Sequence, residues 1–344
     1  MNLKNFNKIA RPISYTLLAS LLTTLATFQM PAYGQASMVP EDNAELRALF
    51  EGEWQEEFNT WGRWGDDDNK GASNLITPEK VLSANALVEE GIVISLAAPV
   101  PQVAAADVAE NGLFNQSMLR ISDRNSADNY QVSYHGLTVA HMDTWCHFFE
   151  DGQMYNGIPV EGNVTMEEGC KQGSVMNWRD GIATRAVIYD IAQLKGVEWI
   201  EPGTPITRAD LEAWEEMSGV QAGPGDIVLL YTGRWKRREA MGAWAGEVAG
   251  YYADTIPWIH ERMPAFLGHD FNIDWNPRPG WEGIGNPIHI ATLIWMGINI
   301  IECLDLEQAV ETARELDRYE FLMTFAPLPV EGGTGSPLNP MAIF

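Results

Sequence analysis

Half of the chain's six histidines fall in one run of mostly apolar and small residues, His135-Gly-Leu-Thr-Val-Ala-His141-Met-Asp143-Thr-Trp-Cys-His147. Few folds can accommodate such a run without giving its ionisable groups a task. Read as a strand, it alternates side chains between two faces, so His141, Asp143 and, if the strand runs on, His147 project to the same side. Val139, Trp145 and Phe148 surround these donors. Burying several ionisable groups there without a compensating ion costs on the order of several kcal/mol. The run therefore predicts a divalent metal site, because neutral imidazole and carboxylate suit Zn²⁺, Mn²⁺ or Fe²⁺, and an Asp can bridge two ions.

One strand rarely completes a coordination shell, so further donors are expected far along the chain. Asn286-Pro-Ile-His289 opens a helix, and Gly297-Ile-Asn-Ile-Ile-Glu302 reads as the buried strand after it. Glu302 is then an acid at the end of an apolar strand, which is expensive unless paired. His260 and His269 have no such context and read as helix or loop residues. Trp61, Trp64, Trp145 and Tyr155 are candidates for an apolar pocket around a flat substrate, with membership of the core as the competing reading.

The remaining apolar stretches are short and β-branched. They predict strands over 91–100, 130–144, 184–192, 225–233 and 297–306, with helices over 207–217 and 288–296 and a helix capped by Thr77 with Pro78 at its first position. Strands outnumber helices, which favours a mixed α/β or α+β single domain over a doubly wound parallel sheet. No repeat period suggests a solenoid or propeller. No Gly-x-Ser-x-Gly elbow occurs, which disfavours a serine hydrolase, and the late run Gly332-Gly-Thr-Gly335-Ser-Pro lacks the Lys-Ser/Thr of a phosphate loop.

Twenty-two Lys and Arg against 47 Asp and Glu leave a net charge of −25. Nucleic acid and anionic lipid are excluded as partners on that balance, since both are held by basic clusters. At the N-terminus, Lys4, Lys8 and Arg11 precede an apolar stretch over 13–29 and small residues at Ala32, Gly34 and Ala36. We read residues 1–36 as a secretory signal, 37–60 as a lead-in containing a short amphipathic helix, and 61–344 as the functional domain, periplasmic in a Gram-negative host and not membrane-bound after cleavage. Three cysteines, Cys146, Cys170 and Cys303, leave at least one thiol free in an oxidising compartment; a free one reads as a small buried side chain, with a nucleophile as the competing reading.

The stretch HGLTVAHMDTWCHFFEDGQMYNG resembles the signature of the cyclase-like metal-dependent hydrolases, the family of bacterial kynurenine formamidase and isatin hydrolase, whose motif runs His-x-Gly-Thr-His-x-Asp-x-Pro-x-His. WGRWGDDDNKGASNLITPEKV, RAVIYDIA, GDIVLLYTGR, NPIHIATLIWMGINIIECLDL and PLPVEGGTGSPLNPMAIF carry the same resemblance, which is strongest to the longer bacterial subgroup. It implies the swivelling β/β/α fold and a homodimer or higher homo-oligomer. It also implies His141, Asp143, His147, His289 and Glu302 as metal ligands, with His147 or, if that residue binds metal, Glu302 moving protons. The motif's first His falls on Leu137, and His135 lies two residues out of register, so the resemblance leaves one or two ions open. The activity implied is hydrolysis of a C–N amide bond, cyclic or N-formyl, in a small, aromatic substrate through a water activated by Mn²⁺ or Zn²⁺. Lactone or ester hydrolysis, and a periplasmic binding protein without turnover, are the rival expectations.

Overall fold

The computed structural model describes residues 43–108 and 112–344. The signal reading and the first residues of the lead-in lie outside the described residues. The lead-in's amphipathic helix is present as Asn43–Glu51, followed by Trp54–Phe58, burying Leu46, Phe50, Trp54 and Phe58.

Four strands form the centre of the sheet. They are β5 (Ile182–Asp190), β6 (Ile227–Tyr231), β7 (Phe266–His269) and β8 (Asn299–Glu302), running parallel in that order. Every residue of β6, β7 and β8 is buried, the signature of strands covered on both faces. Helices cover the crossovers: Arg208–Ser218 between β5 and β6, Arg234–Met241 and Ile256–Arg262 between β6 and β7, and Pro287–His289, continued as a π-helix over Ile290–Trp295, between β7 and β8. Antiparallel strands extend the sheet on both sides. Beyond β5 lie β9 (Glu320–Phe325), β11 (Met341–Ile343) and β1 (Val93–Ser95), while beyond β8 lie β4 (His141–Asp143) and β10 (Gly335–Pro337). The sheet is thus mixed, as expected, with the parallel helix-crossed part confined to its middle.

Local chemistry sets the helix starts. Thr77 Oγ1 accepts from Lys80 N at 3.2 Å ahead of Pro78–Asn85. Thr207 and Asp210 satisfy each other's backbone amides in a capping box that opens Arg208–Ser218.

The expected long strand over 130–144 is instead two pieces. A two-stranded hairpin, β2 (Asn115–Ile121) with β3 (Ser126–Gln131), precedes a bent segment over 132–140, and only His141–Asp143 joins the main sheet. Cys146 and Cys170 form a disulfide, leaving Cys303 free and buried. Among the described residues no helix is long and apolar enough to cross a membrane.

Candidate metal centre

Ligand sites of sheets with a parallel core lie at the carboxyl ends of the parallel strands, and the predicted donors gather there. β4 lies between β8 and β10, and its register sets His141 directly across from Glu302 and Pro337, and Asp143 across from Ile300 and Gly335. Since side chains alternate along a strand, His141, Asp143 and Glu302 share a face. A side chain at Gly335 would collide with the Met142 carbonyl and crowd His135, so glycine is required where β10 passes the site.

His141 Nε2 lies 3.6 Å from Asp143 Oδ1 and 3.9 Å from Glu302 Oε2, while its Nδ1 is bonded to the Val139 carbonyl at 2.7 Å. That bond presents Nε2 to the site. His289, at the start of the helical segment before β8, brings Nε2 to 3.4 Å from Glu302 Oε1 and 3.9 Å from Asp143 Oδ2. Its Nδ1 is held at 2.5 Å by Asp274 Oδ2, and Asp274 Oδ1 accepts from Ile288 N at 2.9 Å. Glu302 Oε1 accepts from Ile273 N at 2.8 Å and Asn272 Nδ2 at 3.0 Å.

His147 sits on a 3-10 turn, Trp145–His147, and not on a continuing strand. It still reaches the site, with Nε2 4.0 Å from Asp143 Oδ2. Its ring stacks on His135 at 3.9 Å. His135, placed out of register by the resemblance, is in the site: its Nδ1 lies 2.8 Å from Asp143 Oδ1 and its Nε2 3.1 Å from Thr334 Oγ1. The bent segment before β4 brings it there. Two sets of three donors therefore share Asp143, one with His135 and His141, the other with His289 and Glu302, each within 4.8 Å.

The electrostatics suit a cation. Asp143 and Glu302 are 2% and 3% exposed, and all their ion-pair partners are histidines. Asp143 Oδ1 accepts no hydrogen bond of good geometry. Burial alone would raise the Asp143 carboxyl, but His141, His135 and His147 around it hold it well below the usual carboxylate range. Burial raises Glu302 to about 7, with Asp143 reinforcing and His289 opposing the shift. Burial would lower His289, yet Glu302, Asp274 and Asp143 lift it to about 9. Burial takes His147 down to about 4 and lowers His141 as well. Carboxylates and imidazoles compete here for protons that one bound divalent ion would replace, so the donor set fits a metal.

The other predicted residues divide. Trp145 and Tyr155 are fully buried in the core. Trp61 and Trp64 are partly buried against that core, Trp61 donating Nε1–H to the Ile294 carbonyl at 2.7 Å. Phe148 flanks the site instead, 4.5 Å from the His289 ring, and borders a cleft of about 430 Å³ with Phe50, Glu150, Ile284, Ile290 and Trp295. His260, in Ile256–Arg262, packs on Phe58. His269 ends β7, buried, its Nδ1 accepting from Phe271 N at 2.6 Å. Asp274, Asn272 and Thr334 were invisible to motif reading; the one available sign was that Asp274 stands in the apolar stretch FNIDW.

A sequence model of the family described as putative cyclase matches residues 53–274. The chain is similar to the crystal structure of a novel cyclase, with 29% identity and a TM-score of 0.75 over 84% of this chain and 99% of that one. It shares its fold with isatin hydrolase A from Labrenzia aggregata bound to benzyl benzoate, at 20% identity and a TM-score of 0.52 over 73% and 93% of the two chains. A further match is an isatin hydrolase bound to the product analogue thioisatinate, at 15% identity and a TM-score of 0.54 over 78% and 99%. A search of curated proteins gives no match.

Proposed function

Because the chain belongs to the putative cyclase family, whose model spans well over half of it, we propose that it is a metal-dependent hydrolase opening a C–N amide bond, cyclic or N-formyl, in a small flat substrate. The observation that carries the proposal is the pair of buried carboxylates, Asp143 and Glu302, whose ion-pair partners among the described residues are all imidazoles. His135 and His141 on one side of Asp143, and His289 and Glu302 on the other, would hold one divalent ion or two, and Mn²⁺ and Zn²⁺ both suit these donors. Such an ion, when bound, supplies Lewis acidity that polarises a carbonyl and lowers the pKa of water from 15.7 towards about 7.

The protein groups do the rest. Asp274 keeps the Nδ1 proton of His289 in place, so that Nε2 faces the donors. His147, partly exposed and neutral at pH 7, can take a proton from water and deliver it to the leaving nitrogen. Phe148 and the adjoining cleft offer an apolar wall for a flat ring. Amide opening is favoured over ester cleavage because the solved isatin hydrolases share this fold. Export to an oxidising compartment is supported by the basic and apolar N-terminal run and by the Cys146–Cys170 disulfide.

The test is turnover of N-formylanilines and isatin-type lactams by metal-loaded protein. We expect His147→Ala to lower kcat by roughly 10²–10⁴-fold with metal content unchanged. Loss of metal in that variant would make His147 a ligand and pass the proton to Glu302. Hydrolysis of lactones alone would replace the amide reading with an esterase. Metal binding without any turnover would leave a small-molecule binding protein.

A further inference from the structure

The cleft beside the metal centre is lined by aromatic rings and acids, and by no base. Its aromatic walls are Phe148, Phe50 and Trp295, the last two with ring centroids 4.7 Å apart and tilted by 40°. Every ionisable residue of the lining is acidic, namely Glu51, Glu150 and Asp151. Glu51 is answered by Arg47 at 3.0 Å. Glu150 and Asp151 belong to no ion pair among the described residues. The Glu150 carboxylate is fixed by Trp295 Nε1, which donates to Oε2 at 2.7 Å and so engages one of its two oxygens. Burial raises this carboxyl, against the Trp295 bond and with Asp151 adding to the rise, the condition of an acid that lacks a cation.

Aromatic faces beside an unanswered carboxylate are the chemistry that holds an organic cation. Ring quadrupoles attract an ammonium lying over them, and the carboxylate supplies the opposite charge. A neutral ring gains nothing from these acids, and an anionic one is repelled by them. Resting on the hydrolase reading above, we infer that the amide opened at this site carries a positively charged ammonium group, seated against Phe50, Phe148 and Trp295 with Glu150 as its counter-ion. Glu150 is then a specificity determinant, recognising a charge remote from the bond that breaks.

Position, size and overall charge agree with this ligand class. Phe148 borders both the cleft and the His289 ring, and Ile290, the residue after His289, lines the cleft as well, so the cleft and the metal donors share a wall. A volume of about 430 Å³ is that of a small-molecule pocket. The net charge of −25 draws cations towards the protein and opposes the approach of anions, an effect that salt suppresses.

The test uses two formanilides of one shape, 4-trimethylammonio and 4-tert-butyl, which differ in charge. With metal-loaded protein at low salt we expect kcat/KM, read by formate release, to be at least about 10-fold higher for the cation. Glu150→Gln should bring the pair within about 3-fold of each other. The glutamine keeps an oxygen for the Trp295 bond, and an unchanged melting temperature would show that the variant is folded. A second readout needs neither turnover nor metal. Phenyltrimethylammonium, which has no bond to hydrolyse, should bind metal-stripped protein in a calorimetric titration, with a Kd at least about 10-fold weaker in Glu150→Gln. Any cation drawn to Asp143 and Glu302 is common to both proteins and cancels in that comparison. Binding weakened in this way, without turnover of either formanilide, would sink the hydrolase reading and leave cation recognition standing. Equal kcat/KM for the two formanilides in the wild type, or phenyltrimethylammonium binding that Glu150→Gln does not weaken, would overturn the proposal.

Discussion

Buried carboxylates stand at both ends of the parallel strands, and their company differs. At the amino end, Asp226 is fully buried, and Arg185 embraces it with Nη2 at 2.6 Å and Nε at 3.0 Å while Gly223 N donates at 2.8 Å and Lys80 pairs with it. At the carboxyl end, Asp143 and Glu302 are as deeply buried, but among the described residues imidazoles are the only ionisable partners paired with them. The first arrangement is complete within the chain, because a guanidinium satisfies a carboxylate's charge and its lone pairs together. The second remains incomplete without a further positive charge. Burial of an acid is thus no sign of function by itself; what separates the two ends is whether a permanent cation of the protein answers it.

The sharpest way to break this contrast is to make the same substitution at each end. Asp143→Asn should abolish metal binding and lower turnover by on the order of 10³-fold or more, with little loss of thermal stability, read by elemental analysis and melting. Asp226→Asn should do the reverse. It leaves Arg185 poorly paired, and because Arg185 is partly exposed and keeps Glu320 at 2.7 Å, the loss is about 2–3 kcal/mol of stability, with metal content intact. Metal lost from the Asp226 variant, or retained by the Asp143 variant, would end the distinction.

A smaller effect probes the layer behind the donors. Asp274 touches no other donor and acts through the ring of His289. Asp274→Asn should weaken metal affinity by about 10–100-fold, the usual cost of losing a carboxylate behind a histidine ligand. Titration with Mn²⁺ or Zn²⁺ measures it, and an unchanged affinity would show that His289 needs no such support.

How far the sequence discloses the site follows from the same physics. His141 and Asp143 were legible because strand alternation is local, and Glu302 because an acid ending an apolar run is conspicuous. His135 shares their odd-numbered parity, but the motif's spacing set it aside, and nothing local announced the bent segment 132–140 that carries it in. Trp145 and Tyr155 could not be told from pocket residues, since aromatic side chains serve cores and clefts alike. The parallel strands were found within a few residues of their ends, whereas β3 was merged with β4 because one apolar run crosses both. Asp274 is placed by the chain's path after β7, which no local pattern encodes.

The smallest predicted effect is a slope. In metal-stripped protein, Glu302 holds its proton up to about 7, against 4.5 for the ordinary carboxyl. The fold therefore keeps a proton that the unfolded chain releases, and this contribution to stability falls as pH rises from about 4.5 to 7. His289 acts with the same sign. Against burial, Glu302, Asp274 and Asp143 together lift its pKa from 6.5 to about 9, so its stabilisation is complete below about 6.5 and is lost as pH rises through 9. Glu302→Gln removes the first effect and the part of the second that Glu302 supplies. The stability of stripped wild type relative to stripped Glu302→Gln should accordingly fall by about 1–3 kcal/mol between pH 5 and 9, measured by urea unfolding. Excess metal should abolish the decline, because the ion takes the place of the proton. At the amino end, where Arg185 already supplies the positive charge, no added metal should change stability through Asp226. A flat or rising difference in the stripped protein would mean that Glu302 is satisfied by the protein alone, and the two ends of the sheet would then be alike.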